Sequence, residues 1–302
     1  MLYSECVKIF IEYLLSYAAD STVNYYLNNL SFFGKYLVDL KGSLNFNVNE
    51  LSKMDYIGYI TYQRKRDITN TSVRTYSRAI KVFLNYLYTE NILKENITIN
   101  VKVPRPDNRM VVPLSGVDVA KYKYGINKSP LKIRNKLIFS LMLCCGLRKS
   151  EVINLNLDDV DLENNYIKIV NSKFNKSRML PLPANVVKLL STYITEYRSL
   201  TTSSVALILS DDKRITDKAI NCMFSKLKKY NNKNIYPHLL RHTFATSFIL
   251  SGGSLEVLRL LLGHSDYNVT RQYIHIAAQC DISDVDVYKI DDCFLKAYKF
   301  SI

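Results

Sequence analysis

The stretch Val101-Lys102-Val103-Pro104-Arg105-Pro106-Asp107-Asn108-Arg109-Met110-Val111-Val112-Pro113 divides the chain. Proline locks its own φ and pushes the residue before it out of helical space, so Pro104, Pro106 and Pro113 specify an extended linker. The periodic patterns on its two sides therefore belong to separate domains, expected over residues 1–103 and 114–302 with 104–113 between them. The length of 302 residues agrees, because one ordinary core rarely serves a chain of that size.

On the N-terminal side, apolar residues recur at helical spacing four times. Residues 4–18 carry Val7, Ile9, Phe10, Leu14 and Tyr17, and Asp20 with Ser21 then caps a run through Tyr25, Leu27, Leu30, Phe33 and Leu37. A third helix is expected over 49–66. The fourth, over 69–90, holds Val73, Tyr76, Ile80, Phe83, Leu84 and Leu87 and aligns Arg74, Arg78 and Lys81 on one face. This is an all-α bundle.

On the C-terminal side, Ser115 caps a short helix, and a strongly apolar helix over 133–145 stops at Gly146. Asn164 and Asn165 introduce an alternating strand over 166–170, a turn over 172–175 follows, and the chain returns through 178–181. That is a β-hairpin with a basic tip. Helices resume over 183–197, 216–229, 237–250, 254–262 and around 268–276, with Pro237 suited to a first helical position and Gly252, Gly253 and Gly263 to helix ends. The fold class is mainly α with a small antiparallel β-sheet.

Charge narrows the partner. Lys and Arg number 41 against 27 Asp and Glu, a formal +14, which favours a polyanion such as nucleic acid over a small neutral substrate. Residues 1–106 hold +4, residues 107–280 hold +12, and the tail 281–302 holds −2 yet carries Val285, Val287, Tyr288, Ile290, Phe294, Leu295 and Tyr298. With 48% hydrophobic residues the chain has material for two cores, so wholesale disorder is excluded. The longest nearly unbroken apolar run, 137–147, is interrupted by Ser140 and falls short of the roughly 20 residues of a membrane span. No leader pattern opens the sequence, and a cytoplasmic protein is expected. Cys6, Cys144, Cys145, Cys222, Cys280 and Cys293 form no CxxC pair and read as reduced structural thiols.

All four histidines fall between 238 and 275. His238 and His242 stand one helical turn apart, a metal-binding spacing, but Arg241 lies between them and Asp266 is the nearby carboxylate, so a divalent cation would find little compensating charge. Taken singly, each histidine reads as a satisfied structural residue. Taken together, His238 and Arg241 at i and i+3 share a helix face and suit one anion. Arg148, lifted out of the core after Gly146-Leu147, supplies a second guanidinium; two such forks can hold both non-bridging oxygens of a phosphodiester and stabilise a five-coordinate transition state.

Gly146-Leu147-Arg148-Lys149-Ser150-Glu151, Ser172-Lys173-Phe174-Asn175-Lys176-Ser177-Arg178, His238-Leu239-Leu240-Arg241-His242-Thr243-Phe244-Ala245-Thr246, and Leu261-Leu262-Gly263-His264-Ser265 with Tyr273 nine residues after His264 resemble, in order and spacing, the motifs of the tyrosine recombinase (integrase) family, Xer-type members in particular. The resemblance spans the second domain, and in length and helix count the first is similar to the family's core-binding DNA-binding domain. It implies that Tyr273 attacks a DNA phosphodiester to leave a 3′-phosphotyrosine and a free 5′-hydroxyl. Arg148 and Arg241 would clamp the phosphate, Lys173 would protonate the departing oxygen, His238 would move protons, and His264 would support the site by hydrogen bonding. Lys173 lies between Ser172 and Phe174 where the family often has glycines, and Lys176 is its alternative.

The residue types suit that chemistry: a phenol of ordinary pKa about 10 needs cations or a base around it to attack at neutral pH. The resemblance implies no cofactor or metal. Its implied partners are a duplex DNA recombination site, read in part by Arg74, Arg78 and Lys81, and further copies of the chain in a tetramer built through the tail 281–302. Two other readings stand beside it: a non-catalytic DNA-binding or architectural protein, with 254–262 in a helix-turn-helix, and a metal-dependent phosphodiesterase built on the histidines.

Overall fold

The computed structural model describes residues 1–107, 111–171, 176–198, 203–264, 267, 270, 271, 273 and 274. Lys173 and its turn, most of the expected helix around 268–276, His275, Cys280, Cys293 and the tail 281–302 lie outside the described residues. The chain divides into two compact units, Met1–Arg109 and Met110–Ile302.

The first unit packs α1 (Tyr3–Leu15), α2 (Asp20–Lys41), α3 (Lys53–Lys65) and α4 (Asn70–Thr89) around one apolar core. Phe10, Phe33, Tyr56, Tyr59, Phe83 and Leu87 are buried in it, each large side chain contributing about 1.5–3 kcal/mol when fully withdrawn from water. The third helix starts four residues later than the apolar period suggests. Asn47 caps a short 3-10 turn, Val48–Glu50, Leu51 is extended, and Ser52 then caps α3 by accepting from the Asp55 N–H. Arg74 donates to the carbonyl of Pro104 at 3.1 Å, tying the first residues of the linker to α4.

In the second unit α5 (Gly116–Asn127), capped by Ser115, precedes the central α6 (Lys132–Cys144), against which α8 (Ala184–Thr192) and α10 (Pro237–Leu250) pack. Between them come α7 (Lys149–Asn154) and an antiparallel sheet in the order β1 (Val160–Asp161), β2 (Tyr166–Asn171), β3 (Lys176–Pro181). A two-stranded ribbon, β4 (Leu209–Ser210) and β5 (Lys213–Arg214), then leads to α9 (Asp217–Leu227), and α11 (Leu255–Leu262) follows α10. The strand β1, the ribbon and α7 are too short for periodicity to register. Pro237 occupies the first turn of α10 as expected, whereas Pro183 caps α8 from outside, and a π turn, Tyr193–Tyr197, closes that helix. Among the described residues no helix is long and apolar enough to cross a membrane. Cys6, Cys144 and Cys145 are buried, and Cys222 is exposed.

Candidate active site

Two left-handed glycines bring the polar residues of the second unit together. Gly146 ends α6 at φ 65°, and a Cβ there would stand 2.5 Å from Cδ1 of Phe244, so only glycine lets α6 and α10 approach this closely. Its carbonyl accepts from Nη1 of Arg241, and the turn it makes places Arg148 at the N-cap of α7. Gly263 ends α11 at φ 60°, and a Cβ there would stand 2.9 Å from Nη1 of Arg178. The orphan carbonyls of α11's last turn face these guanidinium groups. Leu261 O accepts from Arg178 Nε at 2.8 Å, and Leu262 O accepts from Arg241 Nη2 at 2.7 Å and from Arg148 Nη1 at 3.2 Å.

Glu151 is the shared counter-ion. Its two oxygens accept from both Nη atoms of Arg178 at 2.9 Å in a parallel fork, Oε1 also accepts from Arg148 at 2.9 Å, and Arg241 lies 3.9 Å from Oε2. Burial works to raise the Glu151 pKa, but the hydrogen bond and charge of Arg178, with the Arg148 N–H and the Arg241 charge, outweigh it and hold the carboxyl below the ordinary glutamate value. Three arginines around one carboxylate leave the cluster with excess positive charge, which suits a phosphate. Arg148 commits only Nη1 within the described residues, so Nε and Nη2 are available to a substrate.

Arg241 is 4% exposed. Burial, reinforced by the Arg148 charge, pushes its pKa down to about 9, which leaves it cationic at neutral pH. His264 lies 3.0 Å from Arg241 through Nε2 and 2.9 Å from the Thr270 hydroxyl through Nδ1. Arginine can only donate, so Nε2 accepts and Nδ1 carries the proton. Burial and the charges of Arg241, Arg148 and Arg178 push the His264 pKa down to about 3, consistent with that neutral tautomer. Tyr273 is 3% exposed, its ring centroid is 5.4 Å from that of His242, and its phenol lies within electrostatic reach of Arg241. His238, on the exposed start of α10, has its pKa lowered by partial desolvation and by the charges of Arg241, Arg148 and Lys149, and so rests as a neutral base.

Arg148, Arg241, His264 and Tyr273 thus converge, with His238 in their electrostatic field, and Lys173 lies outside the described residues. Arg74, Arg78 and Lys81 belong to the other unit. Glu151 and Arg178, to which the sequence reading assigned no role, prove to organise the cluster. Both had a signal: Glu151 stands at the third position of α7 after Arg148, and Arg178 pairs with buried Ile169 two residues before buried Leu180. A cation on the inward face of a strand demands an anion.

The chain is similar to several known proteins. A tyrosine recombinase of Pseudothermotoga lettingae is 29% identical over 277 residues, covering 89% of this chain and 93% of its own length. Tyrosine recombinase XerD of Vibrio cholerae is 26% identical over 272 residues, covering 86% and 87%. The Tn1549 transposon integrase, solved in complex with a circular intermediate DNA, superposes with a TM-score of 0.72 over 90% of this chain and 95% of its own at 17% identity, a likeness of fold. The description of the phage integrase family matches residues 118–279, more than half of the 302 residues and the whole of the arginine–histidine–tyrosine cluster, and the chain belongs to that family.

Proposed function

We propose that the chain is a site-specific tyrosine recombinase that cleaves and rejoins duplex DNA through a covalent 3′-phosphotyrosine intermediate, exchanging strands by way of a Holliday junction. The observation that carries this reading is the convergence of Arg148, Arg241 and His264 on the end of α11, with Tyr273 within electrostatic reach of Arg241. A scissile phosphate held by the free donors of Arg148 and by Arg241 has its developing charge neutralised where it forms. The Tyr273 oxygen attacks phosphorus, its proton passing to His238, and the 5′-oxygen leaves with a proton from Lys173. The ester keeps the energy of the broken bond, so a 5′-hydroxyl of a second strand reverses the step without a nucleotide cofactor. Because Tyr273 is buried in the free chain, seating of DNA must bring phosphate and phenol together.

Arg74, Arg78 and Lys81 contact DNA in this reading, the first unit serving as the core-binding domain. The tail 281–302 docks on a neighbouring copy to complete a tetramer, and the protein works in the cytoplasm. The architectural alternative loses its support from α11, whose Leu258, Leu261 and Leu262 are buried and whose terminal carbonyls are engaged by arginines. The test is Tyr273→Phe on a nicked suicide substrate: covalent protein–DNA adduct should vanish while duplex binding persists, and continued trapping would refute the nucleophile.

A further inference from the structure

Arg241 and His242 are neighbours on α10 whose side chains diverge. The guanidinium reaches Gly146, Leu262 and His264, while the His242 ring meets the ring of Tyr273 with centroids 5.4 Å apart and planes at 55°, within the range of a favourable aromatic pair. One helix step therefore separates a phosphate ligand from a wall against the nucleophile.

His242 has a polar cost in this position. Its Nδ1 is buried and finds no hydrogen-bond partner among the described residues, a situation that costs about 1–3 kcal/mol and that a leucine or phenylalanine would avoid. We propose that His242 is a positioning residue for Tyr273: its ring sets the orientation of the phenol relative to the phosphate held by Arg148 and Arg241, and so the line of attack. Thr270, fully buried and bonded to His264, anchors the same segment one turn earlier. His242 meets the Tyr273 ring, and Thr270 ties the same segment to His264, which bonds Arg241.

The proposal rests on Tyr273 being the nucleophile, and two reactions of the full chain separate it from that reading. The first is single-turnover cleavage of a suicide half-site, which needs a correctly aimed phenol. The second, run in the Tyr273→Phe background, joins a DNA strand ending in 3′-p-nitrophenyl phosphate to a 5′-hydroxyl strand. There the hydroxyl attacks phosphorus, p-nitrophenolate leaves, and the phosphate clamp acts without the tyrosine. His242→Ala should slow the first reaction about 100-fold, the effect of a misplacement near 1 Å, with half-site affinity preserved. The second reaction should fall by less than about threefold, and His242→Phe, which restores a ring, should recover most of the cleavage rate. Unchanged cleavage in His242→Ala, a parallel loss of both reactions, or a phenylalanine variant as slow as alanine would each overturn the proposal. Cleavage surviving in Tyr273→Phe alone would instead overturn the nucleophile.

Discussion

His264 accepts a hydrogen bond from Arg241 through Nε2 at 3.0 Å. Its other nitrogen bonds Thr270 at 2.9 Å, so a single neutral imidazole links the Arg241 guanidinium to the segment that carries Tyr273. A charged imidazole would face Arg241 as a like charge and lose the acceptor. The arrangement works because the ring stays unprotonated.

Thr270→Val keeps the volume of Thr270 and removes the hydroxyl. The Nδ1–H of His264 then loses its partner, and single-turnover cleavage should slow about tenfold or more. A quenched-flow measurement on a suicide half-site, with binding followed separately, checks this: affinity should stay within about twofold, since no phosphate contact is lost.

Glu151→Gln preserves shape and removes the charge that three arginines share. Leaving buried cations without their anion costs about 3–5 kcal/mol, and because the Glu151 side chain is 8% exposed, water offers little relief. Urea unfolding of the variant should show a large loss in midpoint with an unchanged slope.

Acid should destabilise the second unit in two windows. His264 has a folded pKa of about 3 against an unfolded value near 6.5. The unfolded chain therefore takes up the proton first, and the associated stability, fully present above about 6.5, drains away as pH falls toward 3. His238 and His242, also lowered, add in the same direction. Glu151, held below the ordinary glutamate value, adds a second loss below about 4.5. Denaturation midpoints measured from pH 8 to pH 4 should fall steadily below neutrality.

Arg78 is exposed on α4, whereas Arg74 is bonded to the linker carbonyl of Pro104. If Arg78 meets a DNA phosphate, Arg78→Gln should lower the slope of log affinity against log salt by about 0.9 and weaken specific and non-specific duplexes alike. Fluorescence anisotropy over a salt series reads both.

Deleting residues 285–302 should impair cooperative assembly on paired sites more than binding to one half-site. Gel-shift titrations on single and paired half-sites compare the two, and unchanged cooperativity would reject tail-mediated assembly.

The sequence by itself determined the features governed by local rules. Pro104, Pro106 and Pro113 flank the point where the chain divides into its two units, a break legible because proline acts on its own and the preceding residue. The cap at Ser115 is legible because capping is a matter of three residues, whereas α2 begins at Asp20 itself with Ala19 at its N-cap and no side-chain cap, so the expected Asp20/Ser21 cap does not form. The family is legible because its chemistry needs particular residue types in a particular order. The tertiary structure alone decided which charges meet. Glu151, Arg178 and Arg241 come from separate segments, and the fork between Glu151 and Arg178 joins residues 27 apart. The tautomer of His264 depends on Arg241 and Thr270 lying on its two sides, and the wall behind Tyr273 depends on which way α10 turns His242. Periodicity reports whether a side chain faces the core; it carries no information about the partner waiting there, and in a buried site the partner sets charge state, tautomer and aim.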